Sequence, residues 1–236
     1  MKRGNVVSHT EWHKARLALL EQEKAQSRAR AALTQARLAM PWVEVSTDYR
    51  FTGANGEETL AALFGDADQL IVYHFMFDAD WDVGCKSCSL LADHYGPSVA
   101  HLAARDVAFV TASLAPWPKL EAFRKRMGWD FKWVSSAGSD FNRDFRVSFT
   151  DEEIANNQAN YNYQKNNTFP GREAPGISVF AKDEDGRIYH TYSTFSRGLE
   201  TFIGAYDLLD IVPKGRDEDA LAHGMMWVRL HDSYGD

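Results

Sequence analysis

The sequence predicts an α/β domain built on a mixed sheet, and three observations carry that expectation. An eight-residue apolar run, Leu70-Ile71-Val72-Tyr73-His74-Phe75-Met76-Phe77, shows no alternation and reads as a strand buried on both faces. A second buried strand, Val107 to Ala112, follows after a helical stretch. Further on, Ile177 to Ala181 and Arg187 to Thr191 flank Asp185-Gly186, the mark of a hairpin, and Leu199 to Leu209 reads as a closing helix.

The remaining elements follow in order. Ser8-His9-Thr10-Glu11 has the spacing of a helix-capping box. From Trp12 to about Met40 there is no Gly or Pro, so one long helix is expected, ending before Pro41. At about 1.5 Å per residue it would span roughly 40 Å. Trp12, Leu19, Leu33 and Met40 share a face that Gln22 and Gln26 interrupt. An arm lying over the body and a homodimerisation helix are equally good readings of it.

Asn55-Gly56 marks a first hairpin, and Thr59 to Phe64 a short helix closed by Gly65. Ser89 to Arg105 reads as a helix broken at Gly96-Pro97. Lys119 to Met127 and Ser139 to Phe145 are two further helices. Between about residues 150 and 172 the composition turns to Asn, Gln, Tyr and Thr, an insertion lying over the sheet or site. Tyr161, Tyr163 and Phe169 within it form an aromatic group that packs or caps the site. The expected organisation is a helical arm over residues 1–41, a domain over 42–212, and a tail over 213–236 packing on it.

Composition sets bounds on function. The chain has 236 residues, 44% apolar and 13% aromatic, which suits a filled core and excludes disorder. Its net charge of −7 offers no basic field for phosphate backbones, so nucleic acid is not an expected partner. The longest apolar run is too short to cross a bilayer, and the N-terminal residues lack the pattern of a secretory signal. A cytoplasmic location is expected, with no membrane partner.

Both cysteines of the chain stand in Gly84-Cys85-Lys86-Ser87-Cys88, directly after a buried strand and at the opening of a helix. In the first helical turn a sulfur meets unpaired backbone N–H groups and the positive end of the helix dipole. Both favour thiolate, as does the neighbouring Lys86. Cysteines so placed titrate at about 3.5–7.5, against about 8.5 for a free one. Cys85 is therefore the expected nucleophile and Cys88, one turn inside, the resolving thiol. Thiol–disulfide exchange of this kind requires no cofactor.

A wider set of segments occurs in order: Tyr73-His74-Phe75-Met76-Phe77, Gly84 through Ser89, Arg124 through Trp129, Ser139-Asp140-Phe141-Asn142, Gly176 through Phe180, His190 through Thr194, and Trp227-Val228-Arg229. Together they resemble the bacterial "domain of unknown function 899" family over nearly the whole chain. The resemblance implies a thioredoxin-like fold and a dithiol–disulfide oxidoreductase, with its redox motif falling on Cys85 and Cys88. Analogy with thioredoxin-like folds adds Glu173-Ala174-Pro175-Gly176-Ile177, where a cis proline would face the thiols and present backbone to a disulfide or thiol substrate. It places Ala174 and Pro175 at the substrate, beside Trp81 as a contact wall. A trans turn proline and a packing tryptophan are the plainer alternatives.

Three other functions compete. A peroxiredoxin-type peroxidase needs a Pro and then a Thr or Ser ahead of its cysteine, and Asp78 to Gly84 contains none of these. Metal binding would recruit His74, His94 or His190 to the two thiols, with no second cysteine pair or paired-His motif to support it; no metal is expected. A redox-sensing or binding module without turnover is the third. Asp78, Asp80 and Asp82 beside the thiols read as solvated loop residues or as selectors of a cationic partner.

Overall fold

The computed structural model describes residues 4–164 and 169–235, so residues 165–168 of the inserted segment lie outside the described residues. The chain divides into two compact units, residues 1–41 and 42–236. The first is α1 (His9–Leu38), whose start is set by the capping box: Ser8 Oγ accepts the Glu11 amide, and the Glu11 carboxylate accepts the Ser8 amide at 2.9 Å. No residue of α1 is buried, and Trp12, Leu19 and Leu33 are each about half exposed.

The second unit opens with β1 (Val43–Glu44), then the hairpin β2 (Arg50–Gly53) and β3 (Gly56–Thr59), turned at Gly56 with φ +92°. Next come α2 (Leu60–Leu63), capped by Thr59, and β4 (Gln69–His74). α3 (Lys86–Tyr95) passes through a 3-10 turn at Gly96–Ser98 into α4 (Val99–Ala103), the break expected at Gly96-Pro97. β5 (Val107–Ser113), α5 (Trp117–Arg126), β6 (Lys132–Ser135), α6 (Phe141–Asp144) and α7 (Asp151–Ala155) follow. β7 (Gly176–Lys182) and β8 (Ile188–Phe195) form the second hairpin. The expected closing helix is split into a 3-10 segment, Ser196–Phe202, and α8 (Gly204–Leu209).

Among the described residues one eight-stranded sheet runs in the order β1-β8-β7-β4-β5-β6-β2-β3. β4, β5 and β6 are parallel, and β7 pairs antiparallel with the other side of β4. Three parallel strands joined through helices, followed by an antiparallel hairpin beside the first of them, make a thioredoxin-like fold. β1 and β6 were not expected from the sequence. Each is short, and its pairing with β8 or β5 rather than its own pattern makes it a strand.

Alternation along the strands sorts the core into two layers. Tyr73, Phe109, Trp133 and Ile177 face α3 and α5, joined by Leu230 of the C-terminal segment. Leu70, Val72, Val110, Val134 and Phe180 face α2 and α6 on the other side. A third cluster, including Val147, Phe149, Tyr161 and Phe195, lies by the start of β7.

Candidate functional site

Past β4 the backbone stays tied to β5: Phe75 N–H donates to Ala112 O at 3.0 Å, and Ala115 N–H to Phe77 O at 2.7 Å. The loop after Phe77 returns so that Cys85 N–H donates to Met76 O at 3.1 Å, which brings the thiol to the end of the central strand. Lys119 of α5 fastens this loop by donating to Ala79 O and Trp81 O at 2.5 and 2.8 Å. Gly84 fits because it has no side chain: a Cβ there would stand 2.7 Å from the Phe75 ring and 2.9 Å from the Phe123 ring.

Cys85 is the N-cap of α3. Its Sγ accepts the Cys88 amide at 3.4 Å, sulfur taking the place that a serine or aspartate oxygen usually fills. Its carbonyl accepts from both the Ser89 amide and the Ser89 hydroxyl at 2.9 Å. The Cys88 thiol and the Cys88 and Ser87 amides hold the Cys85 thiol down to about 7, against the opposing effect of burial. Cys88 is 2% exposed and packs in the core layer beside Tyr73 and Tyr95. Burial, and then Cys85 itself, push its thiol well above the ordinary range. Both are free thiols, one partly open to solvent and polarised, the other enclosed.

The segment expected to face the substrate lies at the same strand end, since Gly176 pairs with His74. Among the described residues no peptide bond is cis, so the Ala174–Pro175 bond is trans, the plainer of the two expectations. Hydrogen bonds tie this segment to its neighbours: Ala174 N–H donates to Val147 O at 2.8 Å, and Pro175 O accepts the Tyr161 hydroxyl at 2.7 Å. The Ala174 amide and the Pro175 carbonyl therefore serve the fold. Trp81 is half-buried against the core layer that also holds Cys88.

Two further residues stand out here, Tyr161 from the aromatic group expected to pack or cap the site and Glu173, which had no expected role. Tyr161, from the inserted segment, bridges the Pro175 carbonyl and the Ser196 amide, which donates to its oxygen at 2.9 Å. It is 2% exposed and lies near enough to Cys88 for that thiolate's charge to oppose its ionisation. Glu173 is equally buried; its carboxyl accepts from the Ser148 hydroxyl and, at 3.3 Å, from the Asn142 amide. Burial pushes its pKa up to about 8 despite these donors. The aromatic pattern of the inserted segment flags Tyr161 but not its hydrogen bonds, and the partners of Glu173 are distant along the chain.

The three histidines that could have joined the thiols are engaged elsewhere. His74 Nε2 bonds Ser178 Oγ at 2.8 Å inside the sheet, and His190 Nε2 bonds Ser193 Oγ at 2.7 Å. Both ring nitrogens of His94 are used, with Leu90 O at 2.7 Å and the Ala205 amide at 3.0 Å. Among the described residues no group of three or more His, Cys, Asp or Glu is arranged to hold a metal. Nor is any described helix long and apolar enough to cross a membrane.

Among solved structures the chain is similar to a peroxidoxin, BcpB, from Mycobacterium tuberculosis, at 18% identity over 69% of this chain and 96% of that one, with a TM-score of 0.43. Peroxiredoxin Q from Xanthomonas campestris is 12% identical over 70% and 96%, with a TM-score of 0.44. A putative thiol:disulfide interchange protein, DsbE, from Chlorobium tepidum is 15% identical over 71% and 98%, with a TM-score of 0.39. A comparison with curated proteins returns no match. The family model described as "Bacterial protein of unknown function (DUF899)" matches residues 1–234, and the chain belongs to that family.

Proposed function

We propose that this protein is a cytoplasmic thiol–disulfide oxidoreductase acting through Cys85 and Cys88. The observation that carries the reading is the asymmetry of the pair: a helix-capping Cys85 thiol held near 7 and a buried Cys88 thiol held high. The Cys85 thiolate attacks one sulfur of a substrate disulfide, forming a mixed disulfide and expelling the other sulfur as a thiolate. Cys88 loses its proton to solvent or to that leaving thiolate and attacks Cys85 Sγ. This step forms the Cys85–Cys88 disulfide and releases the substrate as a dithiol. Two electrons pass to the substrate, and a cellular dithiol returns them.

The substrate class is a protein or small-molecule disulfide, met by the half-buried Trp81 and Pro175 side chains, Ala174 itself being buried. The polarised sulfur is also suited to running the exchange in reverse. The test is turnover of a model disulfide by the purified chain with a dithiol reductant. Cys85→Ser is expected to abolish it, and Cys88→Ser to accumulate a mixed disulfide visible by mass. Equal turnover by wild type and both variants overturns the reading. A wild type that oxidises once without turning over assigns the pair to sensing instead.

A further inference from the structure

On the sheet face opposite Cys88, a cleft of about 570 Å³ opens beside β8, within the size range of small-molecule sites. Neither cysteine lines it. Aromatic rings stand among its mainly polar lining: Tyr163 lies against Phe195 at 5.6 Å, Phe145 meets the His190 ring edge-on at 5.2 Å, and Phe149 is also part of the wall. The floor is polar. Ser193 Oγ bonds His190 Nε2 at 2.7 Å and Ser178 Oγ at 2.9 Å, and Ser178 reaches His74, whose Nδ1 is buried without a partner.

The charges at the rim are unequally committed. Glu153 is held by Arg143 and by the Thr150 cap, Asp144 accepts the Tyr49 hydroxyl at 2.6 Å, and Glu44 stands on the edge strand β1. Arg146 has no ion-pair partner among the described residues, although it lines both this cleft and a smaller adjoining one of about 180 Å³. Arg146, Asn162 and Tyr163 all hold left-handed backbone, at φ +55°, +54° and +58°, and all three line the cleft. Non-glycine residues held in this region gather at ligand clamps and other functional sites.

We propose that this cleft binds a small aromatic carboxylate, its anion paired with Arg146 and its ring lying among Phe145, Phe149, Tyr163 and Phe195. An uncommitted guanidinium takes a carboxylate in a forked pair, and flat apolar walls take a flat apolar body. The site is separate from the thiol chemistry and does not depend on it.

The test titrates the full chain with benzoate, benzamide and inorganic phosphate, following the His190 and Tyr163 ring resonances. Benzoate is expected to saturate these shifts below about 1 mM. Benzamide, with the same shape and no charge, and phosphate, with charge and no ring, are each expected to bind about tenfold more weakly or worse. Arg146→Gln, an exposed position, should weaken benzoate by a similar factor, and Tyr163→Ala should do so by removing a wall. No saturable shift with benzoate, equal binding of either control, or Arg146→Gln and Tyr163→Ala variants that bind as wild type would each overturn the proposal.

Discussion

The sulfur of Cys85 accepts the amide hydrogen of Cys88 at 3.4 Å, so the more open thiol is also the cap of the helix that carries its buried partner. Ionising Cys85 strengthens that cap, while Cys88 stays protonated in the core. Alkylation of Cys85 should therefore show a midpoint near pH 7, its thiol below and its thiolate above, with Cys88 unmodified in the folded chain. Cys88→Ala removes the thiol that contributes most to lowering Cys85, so the profile should move to higher pH. A wild-type midpoint near the free-thiol value of about 8.5 would contradict this.

Gly84 is predicted to be intolerant of any side chain. The Cβ of Gly84→Ala would overlap the Phe75 and Phe123 rings at 2.7 and 2.9 Å, both belonging to the packed layer. Overpacking of this kind costs about 1–3 kcal/mol. Because Cys85 is the next residue, its hydrogen bond to Met76 O should be displaced as well. Thermal unfolding and the Cys85 alkylation rate should both fall; a variant unchanged in both would show that the loop has room.

Glu173 makes stability depend on pH in a defined direction. Its folded value of about 8 lies above the ordinary 4.5, so between these values the folded chain holds a proton that the unfolded chain releases. Stability from this group is therefore full below about pH 4.5 and is lost as pH rises toward 8, by at most about 1.4 kcal/mol per unit. Cys85, with its lowered value, acts in the opposite sense above about 7. The readout is thus the difference between wild type and Glu173→Gln in chemical denaturation across this window. That difference should shift steadily in favour of Gln as pH rises, and a constant difference would contradict it.

Tyr161→Phe keeps the ring and removes the hydroxyl that joins Pro175 O to the Ser196 amide. Two backbone groups lose their partner, at about 1–3 kcal/mol for a buried one. The variant should unfold at lower denaturant and should also alter exchange kinetics, since the Ala174–Pro175 segment loses its tie. Stability lost with unchanged kinetics would confine Tyr161 to a structural role.

Local chemistry explains what was legible in the sequence. Ser8 with Glu11, Asn55-Gly56, Gly96-Pro97 and Asp185-Gly186 each act within a few residues, and each marks the feature expected of it. Cys85 and Cys88 were legible because a strand and a helix start bracket them. What escaped depends on distant partners. β6 is a strand because β5 lies beside it, and Glu173 is perturbed because Asn142 and Ser148 enclose it from 31 and 25 residues away. The hydrogen bonds that tie the Ala174–Pro175 segment to Val147 and Tyr161 are likewise signalled by no local pattern.

The most direct test of the central claim is the midpoint potential of the Cys85–Cys88 pair, read by mass-resolved alkylation across a graded dithiol buffer. The account predicts a reversible two-electron transition near the cytosolic glutathione poise, about −220 to −320 mV. Thiols that form no reversible disulfide at any potential would contradict it.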